Sequence, residues 1–471
     1  MSRTSNLLKS SVVLFVAKAA TQFVSFVLLP VYTAVLSTEE YGEIDLYTTA
    51  AMIILPFITL QLEQAAFRYL VGEKDARSKS DIITTCIIGM SAAVLVVGAI
   101  YLIVASLLGI KRAPLVAFYY LALAVSTMLL QICRGFGDNL GFGIGSFLVT
   151  ACSLVLSILF VVFMRMSVDG ALVATALANL LAGAFLFYRS RLWRYLSAAY
   201  WSKKTLFRML RYSTPLIFNQ VSSWAVNYSN RLVLLAYLGM GANGVFAVAS
   251  KFSNVLSTIY GTYNLAWTEN MVFASGDEDY EDYASRMTTM TMKGYVSLVI
   301  AIMAVLPFLF PYLVNKAYWD AYDQIPFLLV GMFFSGMAAT LGSIYIAHER
   351  TTSVAVTTCA AGASCVAINL LFVRWFGLYS ASVSNVVSFG LMFFYRYFKM
   401  REFQVVRIGW RDLAPQLACL GGCFACYFAD LKWAALACGL VTLCFELLHM
   451  RRSGALGRIV SKLVSRLHSR Q

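Results

Sequence analysis

Apolar runs of about twenty residues recur along the whole chain, each the length needed to cross roughly 30 Å of hydrocarbon. Cut at the charge clusters between them, they give fourteen candidate spans: 11–36, 44–70, 82–107, 114–133, 140–164, 170–188, 212–238, 244–273, 291–314, 325–347, 352–373, 378–398, 413–429 and 433–449. The pattern predicts an all-α, polytopic membrane protein of about 14 transmembrane helices. The last two spans are short and separated only by Asp430-Leu431-Lys432, so twelve crossings plus a re-entrant hairpin is the alternative count. No stretch between spans is long enough for a folded extramembrane domain.

Shifted by 202 residues, the first span meets the seventh without a gap. Leu8, Ser11, Leu14, Val24, Val31, Ala34, Leu36 and Gly42 fall on Leu210, Ser213, Leu216, Val226, Val233, Ala236, Leu238 and Gly244. Eight identities over the 38 aligned positions exceed the roughly three that an apolar composition supplies by chance. Six spans lie between the copies, an even number, so both halves cross in the same sense, as a parallel repeat about an axis along the membrane normal. The expected organisation is an N-terminal six-helix lobe over 1–188, an amphipathic cytoplasmic linker over 189–211, a C-terminal six-helix lobe over 212–400, an appended helix pair over 401–449 and a basic amphipathic tail over 450–471. The two lobes would face each other around a central cavity. Linker and tail, each mixing basic with apolar residues, read as anchors to anionic membrane lipid.

Composition fits this picture and sharpens it. Apolar residues make up 60% of the chain and charged residues only 13%, against about 25% charged in soluble globular proteins. That balance excludes a soluble enzyme. With the N-terminus inside, the cytoplasmic loops and tails carry 28 Lys and Arg and the outer loops 6; the carboxylates divide 12 to 8, with Asp45 counted at the outer mouth of its span. The net charge of +14 is thus +16 on the inner face and −2 on the outer. It reports orientation under the positive-inside rule, with both termini cytoplasmic, and is no footprint for nucleic acid. Arg3 and Lys9 precede a first apolar run of 26 residues, longer than a signal-peptide core, so the first helix is expected to be retained. All ten cysteines fall inside spans, which argues against a disulfide framework. Cys423-x-x-Cys426 lacks a second pair and reads as helix packing, so no metal is expected.

Six ionisable residues lie well inside spans: Lys18, Glu63, Arg231, Lys251, Glu269 and Glu446. Each costs about 2.5 kcal/mol or more if it faces lipid at mid-span, so each should face protein or water. Glu446, near the inner surface, reads as a snorkelling or packing residue. The others belong to polar stripes. Lys18, Thr21, Gln22 and Ser25 share one face of span 1; Asn219, Gln220, Ser223, Asn227, Asn230 and Arg231 share one face of span 7. Lys251, Thr258, Thr262 and Glu269 lie nearly in line on span 8, and Asp45, Thr49, Thr59 and Glu63 on span 2. Spans 1, 2, 7 and 8 are the equivalent first pairs of the two lobes, so the stripes are expected to line the seam. They read either as interhelical hydrogen bonding that holds the bundle or as a wet cavity with cations for an anionic cargo. Pro30, Pro56, Pro215 and Pro307 are expected to break span interiors. The acidic loop Gly276-Asp-Glu-Asp-Tyr-Glu-Asp-Tyr283 reads as a solvated loop, with an inner gate as the alternative.

These residues resemble a known family. Leu7-Leu-Lys-Ser-Ser-Val-Val-Leu-Phe through Leu29-Pro-Val-Tyr32 and Leu36-Ser-Thr-Glu-Glu-Tyr-Gly42 are similar to the opening of Wzx-type polysaccharide flippases, of the multidrug/oligosaccharidyl-lipid/polysaccharide exporter superfamily. Tyr212-Ser-Thr-Pro215, Asn230-Arg231, Asn243-Gly244 and Ala249-Ser-Lys251 resemble that family's seventh and eighth helices. The resemblance implies a non-enzymatic carrier in a bacterial plasma membrane. It would move polyprenyl-diphosphate-linked oligosaccharide from the inner to the outer leaflet by alternating access. It also implies a basic cavity, for which Lys18, Arg231 and Lys251 are the candidates by helix position. The family's Trp-then-Pro at the end of the eighth helix is absent from Ala266-Trp267-Thr268-Glu269, and the appended pair is similar to that of the fourteen-helix lipid II flippases.

The expected substrate-binding set is therefore Lys18, Arg231, Lys251, Gln22, Asn219, Asn227 and Asn230, with Glu63 and Glu269 as candidates for coupling to H⁺ or Na⁺ and no cofactor. A cation-coupled multidrug exporter and a lipid II flippase are alternatives; the three cations and two carboxylates of the stripes sum to +1, which favours an anionic cargo. A membrane-embedded polysaccharide polymerase is a further alternative, but His348, His449 and His468 all lie on or near the cytoplasmic side and offer no catalytic constellation.

Overall fold

The computed structural model describes residues 21–24, 26–107, 109–110, 112–274 and 278–452. Lys18 and the basic tail beyond Arg452 lie outside them. Regular structure among the described residues is helical throughout. In chain order it comprises α1 (Thr21–Val35), α2 (Thr38–Thr59), α3 (Leu62–Leu70), α4 (Ala76–Leu107), α5 (Ala113–Gly135), α6 (Asn139–Ser157), α7 (Ser167–Arg189) and α8 (Lys203–Ala274). There follow α9 (Tyr280–Leu313), α10 (Asp320–Ala347), α11 (Thr351–Phe376), α12 (Leu378–Met400), α13 (Trp410–Phe428) and α14 (Lys432–Arg452). Among the described residues nine helices are long and apolar enough to cross a membrane, or ten when α2 and α3 are taken as one bent span. The apolar stretches Thr21–Val35 and Lys432–Phe445 are shorter.

Two breaks shape the site. Helix α8 has 72 residues, which would measure about 108 Å if straight, far more than a bilayer. Gly239, at φ +85°, divides it into a first arm over 203–238 and a second over 240–274. The other break was not visible in the apolar pattern. Leu60 and Gln61 both adopt left-handed conformations, at φ 51° and 53°, and α3 leaves α2 at 64°. The straight polar stripe expected from Asp45 to Glu63 is therefore interrupted. The prolines do not break their helices: α2, α8 and α9 continue through Pro56, Pro215 and Pro307, and the backbone through Pro30 is helical.

The chain gathers into two compact units. The first comprises 1–251, 314–321 and 362–384; the second comprises 252–313, 322–361 and 385–471. In the first, Leu62, Leu70, Ile83, Cys86, Ile132 and Leu186 form a continuous apolar core among α3, α4, α5 and α7. At one end of this unit Arg112, the residue before α5, bridges Glu43 of α2 at 2.8 Å and Asp169 in the first turn of α7 at 2.6 Å. In the second unit α13 and α14 pack on α9 and on each other, with Gly439 so close to Ala304 that a β-carbon there would meet it at 2.7 Å. Tyr322 stacks on Tyr427 at 4.2 Å in the same region.

Arg396 is the staple of the second unit. It is buried on α12, without a carboxylate partner among the described residues. It donates to the Ala338 carbonyl of α10 at 2.7 Å, and on α11 to the Val354 carbonyl at 2.9 Å and the Thr357 and Thr358 hydroxyls at 2.9 and 2.8 Å. Arg396→Ala removes these charge-assisted hydrogen bonds and opens a cavity between three helices. Thermal unfolding of the detergent-solubilised variant is expected to show destabilisation of about 3 kcal/mol, with little recovered in Arg396→Lys, whose single ammonium cannot reach the acceptors on α10 and α11 together.

Candidate functional site

Helix α2 starts on a capping box: the Ser37 hydroxyl accepts from the Glu40 N–H at 3.2 Å, and the Glu40 carboxylate accepts from the Ser37 N–H at 2.8 Å. That start fixes the register of Gly42, Asp45 and Thr49, which follow at spacings of three and four and so share a face. Opposite stands the Gly239 turn of α8. Arg231, before the turn, donates to the Asp45 carboxylate, and Asn243, after it, donates to the same carboxylate at 3.4 Å. One carboxylate thus reports that the two arms double back on each other.

The glycines make this approach close enough for backbone contact. A β-carbon on Gly42 would lie 2.1 Å from the Met240 carbonyl oxygen, and one on Gly244 would lie 2.0 Å from the Thr38 carbonyl oxygen. Each would also lie 2.9 Å from the other's backbone nitrogen. Gly42 maps onto Gly244, and Thr38 onto Met240, by the 202-residue shift of the repeat. The contact is therefore reciprocal: the same point of each copy meets the same point of the other.

Around the crossing, Arg231 also donates to the Thr49 hydroxyl at 2.7 Å and lies over the Tyr228 ring. The Trp224 indole donates to the Thr49 carbonyl at 3.0 Å, and Asn243 to the Gly42 carbonyl at 3.1 Å. Tyr318 donates its hydroxyl to the Leu36 and Ser37 carbonyls at 3.0 and 2.7 Å and stands edge-on to Tyr41. The side chains of Arg231 and Asp45 are each 11% exposed, so the pair is nearly desolvated. Lys251, partly buried, lies within electrostatic reach of both Asp45 and Arg231. Two cations and one carboxylate leave this cluster at +1.

The other expected site residues do not all join it. Asn230 is buried and directed elsewhere: its amide nitrogen donates to the Ala381 carbonyl at 3.3 Å, and its amide oxygen accepts from Asn369 at 3.0 Å. It holds α8 to α11 and α12. Glu63 is 2% exposed among Leu62, Ala65, Ile83 and Cys86, with one carboxylate oxygen lacking a hydrogen-bond partner among the described residues. The α2–α3 break turns it away from the face that carries Asp45. Gln22 is partly buried on α1, Asn219 is exposed on the first arm of α8, and Glu269 is exposed on the second arm, in the other compact unit. Lys18 and the side chain of Asn227 lie outside the description.

Sequence reasoning placed Asp45 and Thr49 on a seam-facing stripe but missed them as partners of Arg231. The signal was present: Asp45 is eight residues after the Ser37 turn and Arg231 eight before Gly239, so both sit at one depth. Asn243 and Tyr318 carried no such mark.

Residues 7–268 match the family model described as "Polysaccharide biosynthesis protein". No curated protein matches the sequence. Among solved structures the fold is similar to "Lipid II flippase MurJ, inward closed conformation", at TM-score 0.67 and 16% identity, covering 94% of this chain and 99% of that one. It is also similar to an inward-facing multidrug resistance MATE family transporter of the MOP superfamily, at TM-score 0.63 and 16% identity, covering 82% and 95%. A MATE transporter in complex with MaL6 aligns at TM-score 0.56 and 18% identity, covering 85% and 99%.

Proposed function

Because the chain belongs to the polysaccharide biosynthesis protein family, whose Wzx-type members are flippases of the MOP superfamily, we propose that it moves a polyprenyl-diphosphate-linked oligosaccharide from the inner to the outer leaflet of a bacterial plasma membrane. The observation that carries this reading is the +1 cluster of Arg231, Lys251 and Asp45 beside the reciprocal crossing of Gly42 and Gly244. A diphosphate cannot enter hydrocarbon unpaired; it needs fixed cations and water along its path. Arg231 offers a planar fork and Lys251 a compact charge, two complementary partners for adjacent phosphoryl groups. When cargo enters, its oxyanions compete with Asp45 for Arg231. That exchange would loosen the ion pair that helps hold α2 against α8.

In this reading fourteen spans form two parallel six-helix lobes, 1–188 and 212–400, with the linker and N- and C-termini cytoplasmic and 401–449 as an appended pair. The crossing then lies at the outer end, where the loops are poor in Lys and Arg. It would serve as the outer gate, which alternating access requires to open. A membrane potential, inside negative, favours outward movement of the dianionic head by about 2.3 kcal/mol per charge per 100 mV. Glu63 and Glu269 are the proposed coupling carboxylates, and Gln22, Asn219 and Lys18 the remaining polar contacts. Asn230, committed to α11 and α12, acts as a positioning residue for its neighbour Arg231.

The test follows a fluorescent polyprenyl-diphosphate oligosaccharide across vesicles reconstituted with wild type or Lys251→Ala. Loss of one charge partner predicts a fall in transfer of roughly 10-fold or more. Undiminished transfer by Lys251→Ala would remove Lys251 from the cargo path. Transport of organic cations in place of the labelled lipid would overturn the substrate class.

A further inference from the structure

A second charged site lies in the first compact unit, away from the crossing. The end of the 71–75 turn, the first turns of α4, and the segment 199–208 enclose a cleft of about 500 Å³. Arg77, Lys204 and Arg208 line it, together with the aromatic rings of Tyr200 and Trp201. Two carboxylates also line it, but both are engaged with uncharged donors. Asp75 accepts from the Ser78 N–H at 2.9 Å, capping α4. Asp81 accepts from the Thr205 hydroxyl at 2.7 Å and the Thr85 hydroxyl at 3.3 Å, tying the start of α8 to α4. Arg77, Lys204 and Arg208 make no ion pair among the described residues. Arg208 lies instead over the Tyr69 ring at 4.6 Å. A rigid frame thus presents three unpaired cations around one cavity.

We propose that this cleft holds the phosphate headgroup of an anionic phospholipid in the adjoining leaflet. Three cations without carboxylate partners suit a phosphodiester that accepts several charge-assisted hydrogen bonds. The surroundings select a lipid over a free ion: Trp201, 46% exposed, and Tyr200, 38% exposed, line the cleft, and the exposed Phe207 precedes Arg208 in sequence; such rings settle at the boundary between headgroups and acyl chains. The cleft is separate from the proposed cargo site. Arg208 and Arg231 lie 23 residues apart on the same arm of α8, about 35 Å along the helix axis. The bound headgroup would fix the linker between the two repeats against the membrane, clamping α4 and α8 at a point where they already share Asp81.

The experiment reconstitutes the whole protein in nanodiscs of equal phosphatidylglycerol and phosphatidylcholine and measures retained lipid by native mass spectrometry. Wild type is expected to keep one phosphatidylglycerol in preference to phosphatidylcholine. Combined Arg77→Gln, Lys204→Gln and Arg208→Gln should reduce that preference by roughly 100-fold, from the usual gain per basic residue at an anionic surface. A control removing Arg286, Arg407 and Arg411, exposed cations of the second unit, should leave it unchanged. The single change Lys204→Gln, at an exposed side chain without an ion pair, gives a smaller loss in the same direction and needs no refolded triple variant. Equal retention by wild type and both cleft variants overturns the proposal, as does an equal loss in the control. Displacement of the lipid by millimolar inorganic phosphate or diphosphate would overturn it too, marking the cleft as a site for free anions or for the cargo's own head.

Discussion

Gly42→Ala and Gly244→Ala should each abolish lipid transfer while leaving the protein inserted and folded. Either methyl group would stand about 2 Å from a carbonyl oxygen of the opposite copy. The obstacle is backbone, which cannot rotate out of the way as a side chain could. Overpacking of this kind costs about 1–3 kcal/mol where the surroundings can yield, and here the simplest way to yield is to part α2 from α8. Closed-state population would then fall by roughly 10- to 100-fold. The measurement is leaflet transfer beside accessibility of a cysteine introduced at Ala247, which is 1% exposed in wild type. Each alanine variant is expected to label fast and transport slowly. Slow labelling with normal transport would show that the crossing is static packing.

The second large effect separates Arg231 as gate from Arg231 as cargo ligand. Arg231→Ala leaves the Asp45 carboxylate nearly buried without its cation, which costs about 3–5 kcal/mol. Asp45→Ala leaves Arg231 in the mirrored condition. The double variant removes both charges, so thermal stability should return close to that of wild type, with a coupling energy of a few kcal/mol in the cycle. Transfer should not return if Arg231 meets the cargo as proposed, because the double variant lacks that cation. Recovery of both stability and transfer would reduce Arg231 to a structural partner of Asp45. Failure of both to recover would point to the Thr49 and Tyr228 contacts as the larger part of its role.

Much of the helical order was legible in the apolar pattern, because membrane helices must satisfy their own backbone and therefore announce themselves as long apolar runs. The 202-residue shift, read from the sequence, also pairs Gly42 with Gly244, two glycines whose backbones meet in the structure. The break at Leu60 and Gln61 was not: Thr59, Gln61 and Glu63 sit in a run that reads as one span, and a left-handed pair of non-glycine residues leaves no mark in hydropathy. Stripe arithmetic then carried Glu63 onto the face of Asp45, where it does not lie. Asn230 illustrates a second limit. Its position beside Arg231 put it on the seam by periodicity, but periodicity records direction on one helix and is silent about the partner that meets it. Asn369, Ala381 and Ser384 supply that partner from 139 to 154 residues away.

The crossing of Gly42 and Gly244 also has the geometry of an isologous interface, the kind formed by two identical subunits about a two-fold axis. Its apolar and charged neighbours are unequal. By the same 202-residue shift, Asp45 corresponds to Ala247 and Arg231 to Leu29, and both of those residues are buried. One side of the axis is salted and its mirror is greasy. Self-recognition by backbone is thus symmetric, while charge has been confined to a single side. Two identical segments meeting in this way would place their charges in duplicate; segments that differ at these positions let the crossing carry a lone Arg and Asp where four charges would crowd the axis.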